Sequence, residues 1–219
     1  MTETFEIARK NMVINQLRPN KIKEENILKI FGNIPKENYL DATLGENCYL
    51  DKNLDITNKR GYLKNLHLAQ IIKYSEISID DKVLHLGGLT GYFSAIISLL
   101  CKKLLVVEED QMLFETLQKN IKKINARNIE LYNQNLLDGL SHKSPYDLII
   151  IDGPMYKIED SLKQQLMSNG GRLIYIKKIY DNLGKAYKVI RNENLYSSEY
   201  LFDVMSTYEI QEKQEGFNF

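Results

Sequence analysis

Lys82-Val83-Leu84-His85-Leu86-Gly87-Gly88-Leu89-Thr90-Gly91-Tyr92 reads as a short apolar strand that breaks at a glycine-rich corner and re-emerges as a helix. Further apolar runs follow at 104–108, 129–132, 147–151 and 172–176, and helical patterns lie between them at 91–102, 110–125 and 158–167. Strand and helix in strict alternation predict a parallel sheet with both faces covered and right-handed crossovers. The fold class is therefore α/β, a doubly wound, mostly parallel Rossmann-like sheet. The tail has another pattern. Residues 186–191, the turn Asn192-Glu193-Asn194 and residues 200–204 predict an antiparallel hairpin at the sheet edge.

Upstream, Phe5, Ile7, Ala8, Met12, Ile14 and Leu17 fall near helical spacing, and Leu17-Arg18-Pro19-Asn20 supplies a stop because proline disfavours helix at the preceding residue. A second helix is expected over 24–31, and Ile34-Pro35-Lys36-Glu37 reads as a turn into a short helix. Residues 44–64 show no period and read as a long irregular loop or a weak hairpin, before a helix over 66–75. The expected organisation is one compact unit. A helical and substrate-loop region, 1–80, packs on a core domain, 81–219.

Composition narrows the function. The chain has 219 residues, 43% hydrophobic and 26% charged, which suits one globular unit that buries roughly 70% of its unfolded surface. Lys plus Arg equals Asp plus Glu at 29 each, so no long-range field favours nucleic acid or an anionic membrane. The acidic N-terminus does not read as a signal peptide, and the apolar stretch 93–101 is broken by Ser94 and Ser98 and falls short of the roughly 20 residues of a bilayer span. Cys48 and Cys101 form no CxxC pair and suit a reducing cytosol. His67 and His142 have no companions at metal-ligand spacing, so no metal is expected. A cytoplasmic location follows.

In doubly wound sheets ligands bind beyond the carboxyl ends of the strands. Gly87, Gly88 and Gly91 would let backbone approach such a ligand closely. Glu108 closes the second strand, where an acidic side chain can accept both hydroxyls of an adenosine ribose. It can equally be a charge at the start of the next helix, since Glu109 and Asp110 follow. Asn135 can meet an adenine edge and Asp152 can face a reacting centre, yet both suit turns for local reasons. His85 reads as a packed strand histidine.

Taken together, these segments resemble class I S-adenosylmethionine-dependent methyltransferases and, more closely, the protein-L-isoaspartate O-methyltransferase family. The resemblance covers nearly the whole chain. It rests on Asn11-Met12-Val13-Ile14-Asn15-Gln16-Leu17-Arg18, Ile34-Pro35-Lys36-Glu37-Asn38-Tyr39, Tyr49-Leu50-Asp51 with Leu54, and Asp81 to Tyr92. Pro145-Tyr146-Asp147-Leu148-Ile149, Gln165-Leu166 and Gly170-Gly171-Arg172-Leu173 continue it.

The resemblance implies S-adenosylmethionine as cofactor, held by Gly87, Gly88, Gly91, Glu108, Asn135 and Asp152, and methyl transfer to a carboxylate of damaged aspartyl residues or a related acceptor. A protein or peptide substrate follows. The chain departs from the family where His85 replaces an acidic residue, Leu89 a glycine and Asn135 an aspartate. Gly61 and Leu63 stand where the family carries the hydroxyls of a Ser-Gln-Pro-like loop, so the serine beside the acceptor has no counterpart, no catalytic residue is assigned, and Leu63 is expected to pack inward. The competing expectation is a catalytically degenerate protein of this fold that binds a nucleoside or another protein. A nucleotide-dependent oxidoreductase fits the glycine spacing poorly.

Overall fold

The computed structural model describes residues 2–210. Helix α1 (Thr2–Met12) runs on through a wide turn, Val13–Leu17, and stops at Arg18–Asn20, where Pro19 sits and Lys21 turns left-handed. Helix α2 (Glu25–Asn33) buries Ile27, Leu28 and Phe31, and the single turn α3 (Ala42–Gly45) is capped by Asp41, whose carboxylate accepts from Leu44 N at 2.9 Å. Of the two readings of 44–64, the hairpin stands: β1 (Leu54–Asp55) pairs with β2 (Gly61–Tyr62) before α4 (Asn65–Ser75).

Then comes the alternation. Strand β3 (Lys82–Leu86), α5 (Tyr92–Ser98), β4 (Lys103–Glu108), α6 (Gln111–Ile124), β5 (Ile129–Asn133), β6 (Leu148–Met155), α7 (Asp160–Lys163), β7 (Asn169–Tyr180), β8 (Leu183–Asn192) and β9 (Leu195–Met205) follow in turn. They form a seven-stranded sheet of order β5-β4-β3-β6-β7-β8-β9. The first five in this order are mutually parallel; β8 and β9 pair antiparallel.

Alternate residues of the strands feed two cores. Val83, Leu104, Leu148 and Ile174 join the N-terminal helices, α4, α5 and α6 in one cluster, which ties the first 80 residues to the sheet. Leu84, Leu105, Ile149 and Leu173 pack on the other face against Leu136, Leu140, Tyr146, Leu162 and Leu166.

Three elements differ from the sequence reading. Helix α5 ends at Ser98, where the Ser98 hydroxyl donates back to Ala95 O and Asn128 Nδ2 takes the carbonyls of Ser98 and Cys101. The helix expected over 158–167 is one turn, because Tyr146 N donates to Gln165 O and Met167 N to Tyr146 O, drawing that stretch into a bridge. The edge hairpin is longer than expected, and β7 and β8 form a second one. The lysines of β7 mask it in the sequence, yet Lys178 is buried because its amine donates to Thr207 O and Tyr208 O.

Lys36 is the unexpected core residue. It is 1% exposed, donates from Nζ to Asn65 Oδ1 at 3.0 Å, and lies 5.1 and 5.2 Å from the ring centroids of Tyr62 and Tyr92. Burial lowers its pKa from the ordinary 10.5 to about 8. Between these values the unfolded chain binds the proton and the folded chain does not, so this group makes stability rise with pH across that window. The gap corresponds to about 3 kcal/mol. Denaturant unfolding of the wild type and Lys36→Met should give a stability difference that moves in favour of the wild type between pH 8 and 10.5. Buried tyrosines are common to both proteins and cancel. A pH-independent difference contradicts the assignment.

Candidate cofactor site

The corner after β3 is built on β4. Gly87 N and Gly88 N both donate to Val107 O, and Gly91 N donates to Gly88 O. The three glycines serve different ends. A Cβ on Gly87, which has φ +99°, would meet Arg60, Asp152 and Ile210 at 3.4–3.6 Å, so Gly87 faces the site. Cβ atoms on Gly88 and Gly91 would press on Val106, Leu117 and Ile121, so these two permit packing of α6 on the corner. Leu89, where the family resemblance expects glycine, keeps a left-handed backbone at φ +48°.

Glu108 is fully buried at the end of β4. Its carboxylate accepts from Leu89 N at 2.8 Å and Asp110 N at 3.1 Å, and from the Arg60 guanidinium through both oxygens, Nη1 to Oε1 at 2.5 Å and Nη2 to Oε2 at 2.7 Å. Four donors saturate a carboxylate. Burial opposes the charge on Arg60, but Glu108, with Glu109 and Asp152 beside it, outweighs that effect and holds the guanidinium pKa above its ordinary value. Arg60 itself is set by a tight loop between β1 and β2, in which Arg60 N donates to Thr57 Oγ1 and Arg60 O accepts from Ile56 N and Thr57 N.

Asp152 lies in a bulge of β6, where the register to β7 shifts between Ile150 and Pro154. It is buried, and its Oδ1 stands 3.4 Å from Nε2 of the wholly buried His85. That contact lacks hydrogen-bond alignment, and Nε2 has no partner, whereas Nδ1 meets Ser94 Oγ at 2.9 Å. Asn135 is exposed and accepts from Leu137 N, closing a local turn after β5. The structure thus brings Gly87, Glu108 and Asp152 to one place, with Arg60 between them, and leaves Gly88 and Gly91 in the packing behind. Leu63 packs inward as expected, 1% exposed.

The C-terminal segment closes the front. Tyr208 hydroxyl donates to Asp55 Oδ1 at 2.7 Å, Glu209 N to Lys59 O at 3.0 Å and Ile210 N to Pro154 O at 2.8 Å. The Ile210 side chain sits on Gly87 and Gly153. What remains between Arg60, Gly87, Asp152 and Ile210 is a cavity of about 10 Å3. That is no more than one water's room, against the roughly 300–1,000 Å3 of ligand clefts. In this conformation the residues do not fit a nucleoside cofactor: the space is filled and the oxygens of Glu108 are taken. Arg60, Tyr208 and Ile210 went unread in the sequence, since each acts through partners far along the chain.

A family model described as protein-L-isoaspartate(D-aspartate) O-methyltransferase matches residues 8–204. Proteins named protein-L-isoaspartate O-methyltransferase from Shewanella halifaxensis and Koribacter versatilis are similar. The first is 30% identical over 84% of this chain and 85% of its own, the second 26% identical over 78% and 76%. A solved structure of the same name superposes with a TM-score of 0.77 at 19% identity over 91% of this chain; the chain spans 65% of its length, just under two thirds. Another, from Plasmodium falciparum in complex with S-adenosyl-L-homocysteine, gives 0.77 at 15% identity over 93% and 98%. At such identities the two structures speak for the fold.

Removing Glu108 tests whether its carboxylate is structural. Glu108→Ala strands a buried guanidinium and should lower unfolding stability by about 3–5 kcal/mol, whereas replacing both partners by apolar residues, as in Arg60→Met with Glu108→Leu, should cost much less. Urea unfolding of the two proteins checks this. Equal losses would show that stranding the guanidinium carries no penalty.

Proposed function

Because the chain belongs to the protein-L-isoaspartate(D-aspartate) O-methyltransferase family, we propose that it is an S-adenosylmethionine-dependent methyltransferase acting on a carboxylate of damaged aspartyl residues or a related acceptor. The observation that carries this is the family match over residues 8–204. The backbone at Leu89 supports it, since a left-handed leucine preserves a corner that glycine adopts freely. In this reading Glu108 receives the ribose, Gly87 lets the ligand lie against backbone, and Asp152 faces the reacting end. Gly88 and Gly91 hold the corner's shape, and Asn135 follows the strand beside the adenine.

A carboxylate acceptor is already ionised near neutral pH, so no general base is needed. What the chain supplies is position and exclusion of water. Leu63 offers no hydroxyl to that task, and Gly61 is held in the hairpin, where a Cβ would strike Leu54 O and Tyr208. The acceptor is a protein or peptide. No helix among the described residues is long and apolar enough to cross a membrane, and both cysteines are free and buried, which suits a cytoplasmic enzyme. The second reading, a protein of this fold without catalysis, is favoured by one observation, the engagement of Glu108 by Arg60.

Transfer of labelled methyl from S-adenosylmethionine to an isoaspartyl peptide, with the aspartyl isomer as control, tests the proposal. We expect a slow, isomer-selective ester formation, on the order of 10²-fold below a serine-bearing family member, the scale of a lost positioning contact. Turnover at a full family rate would show that the serine is dispensable. Inactivity alongside measurable S-adenosylhomocysteine binding would assign a different acceptor.

A further inference from the structure

The disagreement between the family's cofactor and the filled cavity has a physical form. Arg60 presents two donors to the two oxygens of Glu108, as many as the hydroxyls of a ribose diol would offer there. Ile210 lies on the glycine that must stay bare for a ligand to approach. Both are held by one assembly: Arg60 by the β1–β2 hairpin, and residues 208–210 by bonds to Asp55, Lys59 and Pro154. Lys178 anchors the segment's start, donating to Thr207 O, Tyr208 O and Glu209 Oε2. Behind the assembly, Nε2 of the buried His85 makes no hydrogen bond and stands 3.4 Å from Asp152 Oδ1.

We infer that Arg60 and the segment Tyr208–Ile210 form an internal plug that competes with the nucleoside for Glu108 and Gly87, so that cofactor binds only when the guanidinium leaves the carboxylate and Ile210 leaves the glycine. The inference rests on the proposed methyltransferase reading. Apparent affinity is then the intrinsic affinity scaled by the fraction of open protein, and weakening the plug raises it. A Glu108 already paired with Arg60 needs no ligand to be stable, so the protein keeps its fold in the closed state.

Calorimetric titration with S-adenosylhomocysteine should show at least about 10-fold tighter binding for Arg60→Gln than for wild type, and a smaller gain for Ile210→Ala. The second variant leaves the ion pair intact and serves if the first does not fold. In the unaltered protein, saturating S-adenosylhomocysteine should speed hydrogen exchange at the amides of Glu209 and Ile210, whose bonds to Lys59 and Pro154 break on opening. If wild type binds and neither variant binds more tightly, with both amides still protected, the plug is wrong and the methyltransferase reading stands. If none of the three proteins binds, both fall, and Arg60 and Ile210 are permanent filling of a lost site.

Discussion

A carboxylate with no exposed surface, Glu108 at the end of β4, sets the terms for everything at this edge of the sheet. An ionised group taken from water loses several kcal/mol of solvation unless charge and hydrogen bonds replace it. Backbone supplies two donors, from Leu89 and Asp110, and the counter-charge comes from Arg60. Arg60 reaches Glu108 because the short β1–β2 hairpin presents it from above, and the hairpin is pinned through Asp55 and Lys59 by the segment after β9. One buried charge therefore organises a loop 48 residues earlier and the end of the described chain.

The same carboxylate explains Leu89. A non-glycine residue at φ +48° carries strain of about 1–2 kcal/mol. Its conformation aims the Leu89 amide at Glu108 Oε2, a charge-assisted bond of about 1.5–3 kcal/mol, while the side chain is buried. The strain is thus offset locally. Gly88 and Gly91 are kept by packing with α6, a reason independent of any ligand, so a corner of this shape persists whether or not the site is used.

How much of this could be read from sequence depends on the range of each interaction. The central strands β3, β4 and β6 show as continuous apolar runs because both faces of a parallel sheet are buried there, while β5, at the edge, keeps Glu130 half-exposed. Glu108 was legible by its place at a strand end, and Leu63 by its apolar character in a polar loop. Arg60 was not, since beside Lys59 it looks like one more surface cation, and only the fold reveals the buried acid it meets. The stretch 158–167 failed for a related reason: Leu162 and Leu166 have helical spacing, but the backbone of Gln165 and Met167 is claimed by Tyr146. Lys36 is hidden similarly, an amine whose aromatic cage is assembled from Tyr62 and Tyr92.

The exchange that the proposed function demands is asymmetric. The amides of Leu89 and Asp110 are fixed by backbone and serve Glu108 in either state, so only the outer pair of donors changes. A guanidinium brings charge as well as two hydrogen bonds; ribose hydroxyls bring the bonds alone. Glu108 therefore loses Coulombic stabilisation on exchange, and Arg60 must recover it from water or from another acid. Asp152 stands against the same glycine and already draws on the Arg60 charge. On the proposed exchange, a displacement of the guanidinium toward Asp152 would keep that charge paired while baring Glu108.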